Sequence, residues 1–303
     1  MTSFYFTTTT KSGQSYDLHL ESWGDEHTDG HTNEHAKQPP LFCVHGLTGT
    51  TQDFAYLGRY MAQILSRRVI AIDMPGRGQS AWFDDPQDYC FVQYLKDIHA
   101  AFDIIGISAQ RPCDWLGVSM GGLLGFHMAA GSARIRKLIL SDIGPDVPQA
   151  DLDFIAMVIK MNVAYTRIED AVPIMKRFLG TAYSRGAMDE EMWIHFAKTS
   201  LKLDHATGKY IRNFDPKIVE VFETHPLGSE NLWHCWDRIT QPVLALRGAL
   251  SSLFPLKTLE EMQRRKIGAP MDVITFDDCG HVPSLYPDHQ IKPIAEWLTE
   301  PQS

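Results

Sequence analysis

Asp114-Trp-Leu-Gly-Val-Ser-Met-Gly-Gly-Leu-Leu-Gly125 is the stretch whose reading decides the rest of the chain. Inside it, Gly117-Val118-Ser119-Met120-Gly121 follows the G-x-S-x-G spacing of a nucleophile elbow. A serine on a sharp strand-to-helix turn needs residues without side-chain bulk two positions before and two after it. Gly117 and Gly121 supply that room, and the turn then presents the hydroxyl at the N-terminus of the next helix. Leu116 and Val118 read as buried strand, while Leu123, Leu124, Phe126 and Met128 read as a packed helix. The competing reading is a serine that caps a helix and does no chemistry.

Length and composition set the bounds. The 303 residues suit one large α/β domain carrying an insertion, or two smaller domains. Hydrophobic residues make up 44% and charged residues 21%, as in an ordinary soluble enzyme. A net charge of −9 argues against nucleic acid or an anionic membrane surface as a partner. Residues Met1 to Ser12 lack the basic start and apolar centre of a signal peptide. The most apolar run, Trp115 to Gly131, is short for a membrane span and contains Ser119 and His127. The cysteines Cys43, Cys90, Cys113, Cys235 and Cys279 are odd in number and widely spaced. They read as buried free thiols in a cytoplasmic protein.

Outward from the elbow, strands alternate with helices. Residues 3–9 and 14–22 read as a hairpin at the sheet edge. The polar stretch Asp25 to Gln38 holds His27, His31 and His35 at four-residue spacing, which on a helix would share a face and suit a metal. Gly30 and the scarcity of apolar residues favour a solvated loop instead. Leu41 to Val44 is a buried strand running into His45-Gly46-Leu47-Thr48-Gly49, where backbone N–H groups at a sheet edge suit an oxyanion. His45 itself reads as a residue that shapes this loop. A helix at about 51–66 follows, then strand Val69 to Asp73, the turn Met74 to Ser80, and a helix near 88–106. Strands at Cys113 to Val118 and Ile135 to Leu140 come next, the second ending at Ser141-Asp142-Ile143-Gly144-Pro145. From 147 to 231 the pattern changes to amphipathic helices without buried strands. Alternation resumes with strand Val243 to Leu246, a helix near 256–266, strand Met271 to Phe276, and a helix near 288–299.

With Ser119, the His-Gly-x-x-Gly loop and a late Gly280-His281 in view, the chain resembles the α/β-hydrolase superfamily. Within it, the chain is similar to bacterial esterase-like members that carry Asp-x-Pro-Gly-x-Gly-x-Ser, here Asp73 to Ser80, and Leu-x-Asp-Ile-Gly-Pro, here Leu140 to Pro145. The resemblance implies a mostly parallel eight-stranded sheet flanked by helices, with a helical cap inserted after the sixth strand. The expected parts are then a core over 1–146 and 232–303 and a cap over 147–231. The family's order of nucleophile, acid and histidine implies Ser119 as nucleophile and His281 as base.

One departure falls on the acid. The resemblance places it shortly after the seventh strand, in Arg-Gly-x-x-Ser-Asp, yet this chain reads Arg247-Gly-Ala-Leu-Ser-Ser252. Serine at 252 cannot offset the imidazolium charge formed during attack. Asp142 is the replacement candidate, because it ends the strand after the nucleophile strand and should reach the same sheet edge. On that reading Asp142→Asn cripples turnover and Ser252→Asp restores or raises it. Asp146 is a weaker option, and Asp277 and Asp278 lie too close to His281 in sequence.

The expected activity is hydrolysis of small-molecule carboxylic esters through an acyl-enzyme, with the N–H groups of Leu47 and Met120 as oxyanion donors and no metal or organic cofactor required. C–C hydrolysis, lactone hydrolysis and acyl transfer use the same Ser–His pair. A lapsed enzyme that only binds ligand is the rival from another class, motivated by Ser252.

Overall fold

β1 (Thr2–Thr9) and β2 (Ser15–Trp23) pair antiparallel, in register from Thr2↔Ser22 to Thr9↔Ser15, as the expected hairpin. The computed structural model describes residues 1–24, 38–180, 187–224 and 229–300. His27, His31 and His35 therefore lie outside the described residues.

The chain continues through β3 (Leu41–Val44), a 3-10 turn at Thr51–Phe54, α1 (Ala55–Ile64), β4 (Val69–Ile72) and α2 (Phe91–Ile105). Next come β5 (Cys113–Val118), α3 (Met120–Gly131) and β6 (Ile135–Ser141). A long excursion follows: α4 (Gln149–Lys160), β7 (Ala164–Tyr165), α5 (Ile168–Leu179), α6 (Glu190–Ser200), β8 (Leu201–Asp204), β9 (Lys209–Arg212) and α7 (Lys217–Thr224). The short α8 (Trp233–Trp236) leads back to β10 (Val243–Gly248), α9 (Leu256–Arg265), β11 (Met271–Phe276) and α10 (Asp288–Thr299).

Eight strands form one sheet in the order β1-β2-β4-β3-β5-β6-β10-β11. From β4 to β11 every neighbouring pair is parallel, and only the β1–β2 and β2–β4 pairs are antiparallel. Central strands β3, β4 and β5 are buried at every position, which is why β3 and β4 read as unbroken apolar runs, while β5 is interrupted only by Asp114, paired with Arg67 and Arg136. Successive side chains enter opposite layers. Phe42, Val44 and Trp115 pack on one face with Phe102 of α2 and Leu124 of α3. Leu41, Cys43 and Leu116 pack on the other with Leu57 and Met61 of α1 and Ile291 and Ile294 of α10. Covering both faces leaves the carboxyl ends of the parallel strands as the edge where loops gather, the usual place for a site in such a sheet.

The stretch from 147 to 231 departs from the all-helical expectation. β7, β9 and β8 form a separate three-stranded antiparallel sheet. The β8–β9 hairpin closes over Asp204 to Gly208, where Gly208 takes a φ of 66° and the Asp204 carboxylate accepts from the Thr207 hydroxyl at 2.6 Å. Its strands are half-exposed and four residues each, so they carry no apolar run to announce them.

All five cysteines stand outside disulfides; Cys43, Cys113, Cys235 and Cys279 are buried, and Cys90 is partly exposed. Among the described residues no helix is long and apolar enough to cross a membrane.

Candidate active site

β5 passes into α3 through a turn that only its glycines permit. A Cβ on Gly117 would lie 2.2 Å from the Gly121 carbonyl oxygen, and one on Gly121 would lie 2.0 Å from that of Val44. Ser119 between them has φ 49° and ψ −111°, a conformation that L residues rarely adopt. It occupies the N-cap position of α3, but its side chain makes no capping hydrogen bond. The hydroxyl is turned to another partner.

That partner is His281, in the loop after β11. Its Nε2 lies 3.1 Å from Ser119 Oγ, and its Nδ1 lies 2.8 Å from Asp142 Oδ2. Nδ1–H donating to the carboxylate leaves Nε2 free to accept the serine proton, the tautomer that nucleophile activation needs. His281 keeps 25% of its side chain exposed, whereas Asp142 is fully buried.

Asp142 is the first residue past β6, with φ 53°. Its N–H donates to the Leu246 carbonyl at 2.7 Å, tying it to β10. The carboxylate receives the Gly248 N–H at 2.8 Å on Oδ1 and the Ser251 hydroxyl at 2.5 Å on Oδ2. Together with His281 Nδ1, three donors compensate a charge that has no access to water.

The other carboxylates considered stand elsewhere. Asp278 pairs with His289 at 3.3 Å, and Asp146 and Asp277 are exposed. Ser252, where the resemblance expects the acid, is exposed and donates to Asp151 of α4. Its neighbour Ser251 is the residue that reaches Asp142. No sequence pattern marks Ser251, because its role depends on how closely β6 and β10 run.

The loop after β3 supplies the opposite wall. Gly49 N–H closes a turn on Gly46 O at 3.2 Å, with Leu47 at its tip. His45 accepts the Met74 N–H at Nε2 (3.0 Å) and donates from Nδ1 to Gly46 O at 2.6 Å. One neutral tautomer makes both bonds. Burial pushes this imidazole down to about 4, so it stays neutral and shapes the loop. Asp73 braces the neighbouring turn, accepting from Thr51 N–H at 2.7 Å and Gln79 N–H at 2.9 Å.

Leu47, Ser119 and Met120 share one pocket enclosing about 310 Å³ of empty space, part of it open to solvent. Met120 opens α3, so its N–H has no partner inside the helix. The remaining wall is apolar, and Val147, Leu152, Ile155 and Phe222 bring it from the 147–231 excursion. Among the described residues no charged side chain lines it.

Comparison with known proteins agrees with this architecture. A family model described as the alpha/beta hydrolase fold matches residues 39–288. The chain is 29% identical over 290 residues to a 3-hydroxybutyrate-oligomer hydrolase of Cupriavidus necator, with 91% of each chain covered. A solved structure from Rickettsia typhi, provisionally described as a hydrolase, superposes over 100% of both chains with a TM-score of 0.85 and 26% identity. An α/β hydrolase from Novosphingobium aromaticivorans covers 98% of this chain and 97% of its own, with a TM-score of 0.81 and 28% identity. The chain belongs to the alpha/beta hydrolase fold family and is a hydrolase of that family.

Proposed function

We propose that this hydrolase cleaves carboxylic esters through an acyl-enzyme on Ser119. The observation that carries the reading is the unbroken chain from Ser119 Oγ through His281 to Asp142, opening on an uncharged pocket. His281 Nε2 takes the serine proton as Oγ attacks the ester carbonyl, and Asp142 stabilises the resulting imidazolium. The N–H groups of Leu47 and Met120 receive the oxyanion. His281 returns the proton to the leaving alcohol, then activates water to release the acid.

The apolar wall suits a neutral acyl group. We treat residues 147–231 as a cap over the core of 1–146 and 232–303, since that segment supplies part of this wall. The relative from Cupriavidus necator is a 3-hydroxybutyrate-oligomer hydrolase, which makes short linear 3-hydroxybutyrate esters the first natural class to test. Their ester units are small, uncharged and methyl-branched, which suits an apolar wall.

The test is an assay of p-nitrophenyl acetate, butyrate and octanoate beside 3-hydroxybutyrate dimer and trimer, with Ser119→Ala as control. Turnover by the wild type and its loss in Ser119→Ala are expected. Unchanged turnover in Ser119→Ala would refute the mechanism. Ligand binding with neither turnover nor covalent labelling would make the chain a binding protein.

A further inference from the structure

Arg77 is a buried cation that the steps above do not use. Its side chain is fully buried in the turn after β4. Nε donates to the Leu47 carbonyl at 2.8 Å, and Nη1 donates to the Pro75 carbonyl at 2.7 Å and to the Tyr94 hydroxyl at 2.6 Å. Nη2 lies 3.8 Å from the Met120 sulfur. All four partners are neutral. The rings of Tyr89 and Tyr94 lie 5.9 and 5.3 Å from the guanidinium carbon. A cation whose direct hydrogen-bond partners are neutral is costly to bury, and its field is little screened at short range.

Two of those four partners are Leu47 and Met120, the residues whose N–H groups are the oxyanion donors of the proposed reaction. Holding the Leu47 carbonyl fixes the backbone on the far side of the residue whose N–H must point at the oxyanion. Donors of this kind act only if they are aimed before charge develops.

The turn carrying Arg77 is itself clamped by the chain after β9. Gly78 N–H donates to the Asn213 carbonyl at 3.3 Å, and Asp215 N–H donates to the Gly76 carbonyl at 2.7 Å. Arg77 and Phe214 form an antiparallel bridge between these bonds. The Tyr89 hydroxyl, donating to Asp215 at 2.5 Å, closes the same clamp.

We propose that Arg77 is the positioning residue of the oxyanion hole: it holds the Leu47 loop in its reactive geometry and sets its positive charge behind both donors. The proposal rests on the ester-hydrolase reading of Ser119.

The test measures the second-order rate of Ser119 phosphonylation by a fluorophosphonate probe, together with kcat and KM for p-nitrophenyl acetate. Arg77→Met should slow labelling and lower kcat by about 10²-fold, the scale of losing one oxyanion donor, with KM within about twofold. Arg77→Lys keeps the charge but not the forked contacts, and should fall between. Labelling of Arg77→Met within about threefold of the wild type, in protein that melts normally, overturns the proposal, as does a rise in KM with kcat unchanged. If Arg77→Met does not fold, Tyr94→Phe takes its place, since it removes one acceptor of the same guanidinium. A fall in kcat of about three- to tenfold is expected there, and an unchanged kcat overturns the proposal. A wild type that is never labelled refutes the reading of Ser119 and this proposal together. A labelled wild type with an unaffected Arg77 variant refutes the role of Arg77 alone.

Discussion

Asp142 reaches His281 from the end of β6 because its backbone turns through a positive φ and its N–H is held by Leu246. On the proposed mechanism its charge is worth several powers of ten. Asp142→Asn should lower kcat by about 10³–10⁴, since the amide no longer holds the histidine tautomer or offsets its charge. Ser251→Ala removes one of the carboxylate's donors and should lower kcat about tenfold, with little change in KM. Steady-state kinetics on the two variants check both values. Ser252→Asp has a different outlook from the one the sequence suggests. Its side chain faces Asp151, so a carboxylate there would meet a like charge and should neither raise wild-type activity nor rescue Asp142→Asn. Ser119 and His281 are legible in the sequence because the elbow needs glycines at fixed spacing and the histidine follows the last strand. Asp142 is legible only through the vacancy at 252. Ser251 and Arg77 are not, since each acts on a residue far away in the chain.

Among the elements, α4 has two duties: Leu152 and Ile155 face the pocket, while Phe154 and Met157 are exposed. If its inner face sets acyl length, Ile155→Phe should lower kcat/KM for the octanoyl ester about tenfold more than for the acetyl ester. An equal loss on both esters would place acyl selection elsewhere. The central strands β3 and β4 are readable because burial on both faces demands continuous apolar residues. The β8–β9 hairpin is not, for the opposite reason: Lys202, Leu203, Lys209 and Tyr210 are at least partly exposed, and its register rests on a turn and a few backbone bonds.

For the molecule as a whole, stability carries a pH dependence separate from the chemistry. Asp97 is fully buried beneath the β1–β2 hairpin, where the Tyr16 hydroxyl and Gln93 amide donate to it. Burial pushes its carboxyl up to about 7, and burial does the same to Asp53. In the unfolded chain such a group holds its proton only below about pH 4. The folded state therefore binds more protons between about pH 4 and 7, so stability falls as pH rises through that window and then levels off. Wild type should melt about 5 °C lower at pH 8 than at pH 5 through these groups, and Asp97→Asn should roughly halve the difference, leaving the Asp53 share. An identical pH slope in the variant, measured by thermal unfolding, would contradict that role for Asp97. Hydrolysis by this molecule rests most heavily on covalent chemistry at one serine. Its most direct measurement is rapid acid quenching after mixing with p-nitrophenyl butyrate, followed by mass mapping of the peptides. A butyryl adduct on Ser119 that is absent from Ser119→Ala is expected. Turnover without that adduct, or an adduct on another residue that persists in Ser119→Ala, would contradict it.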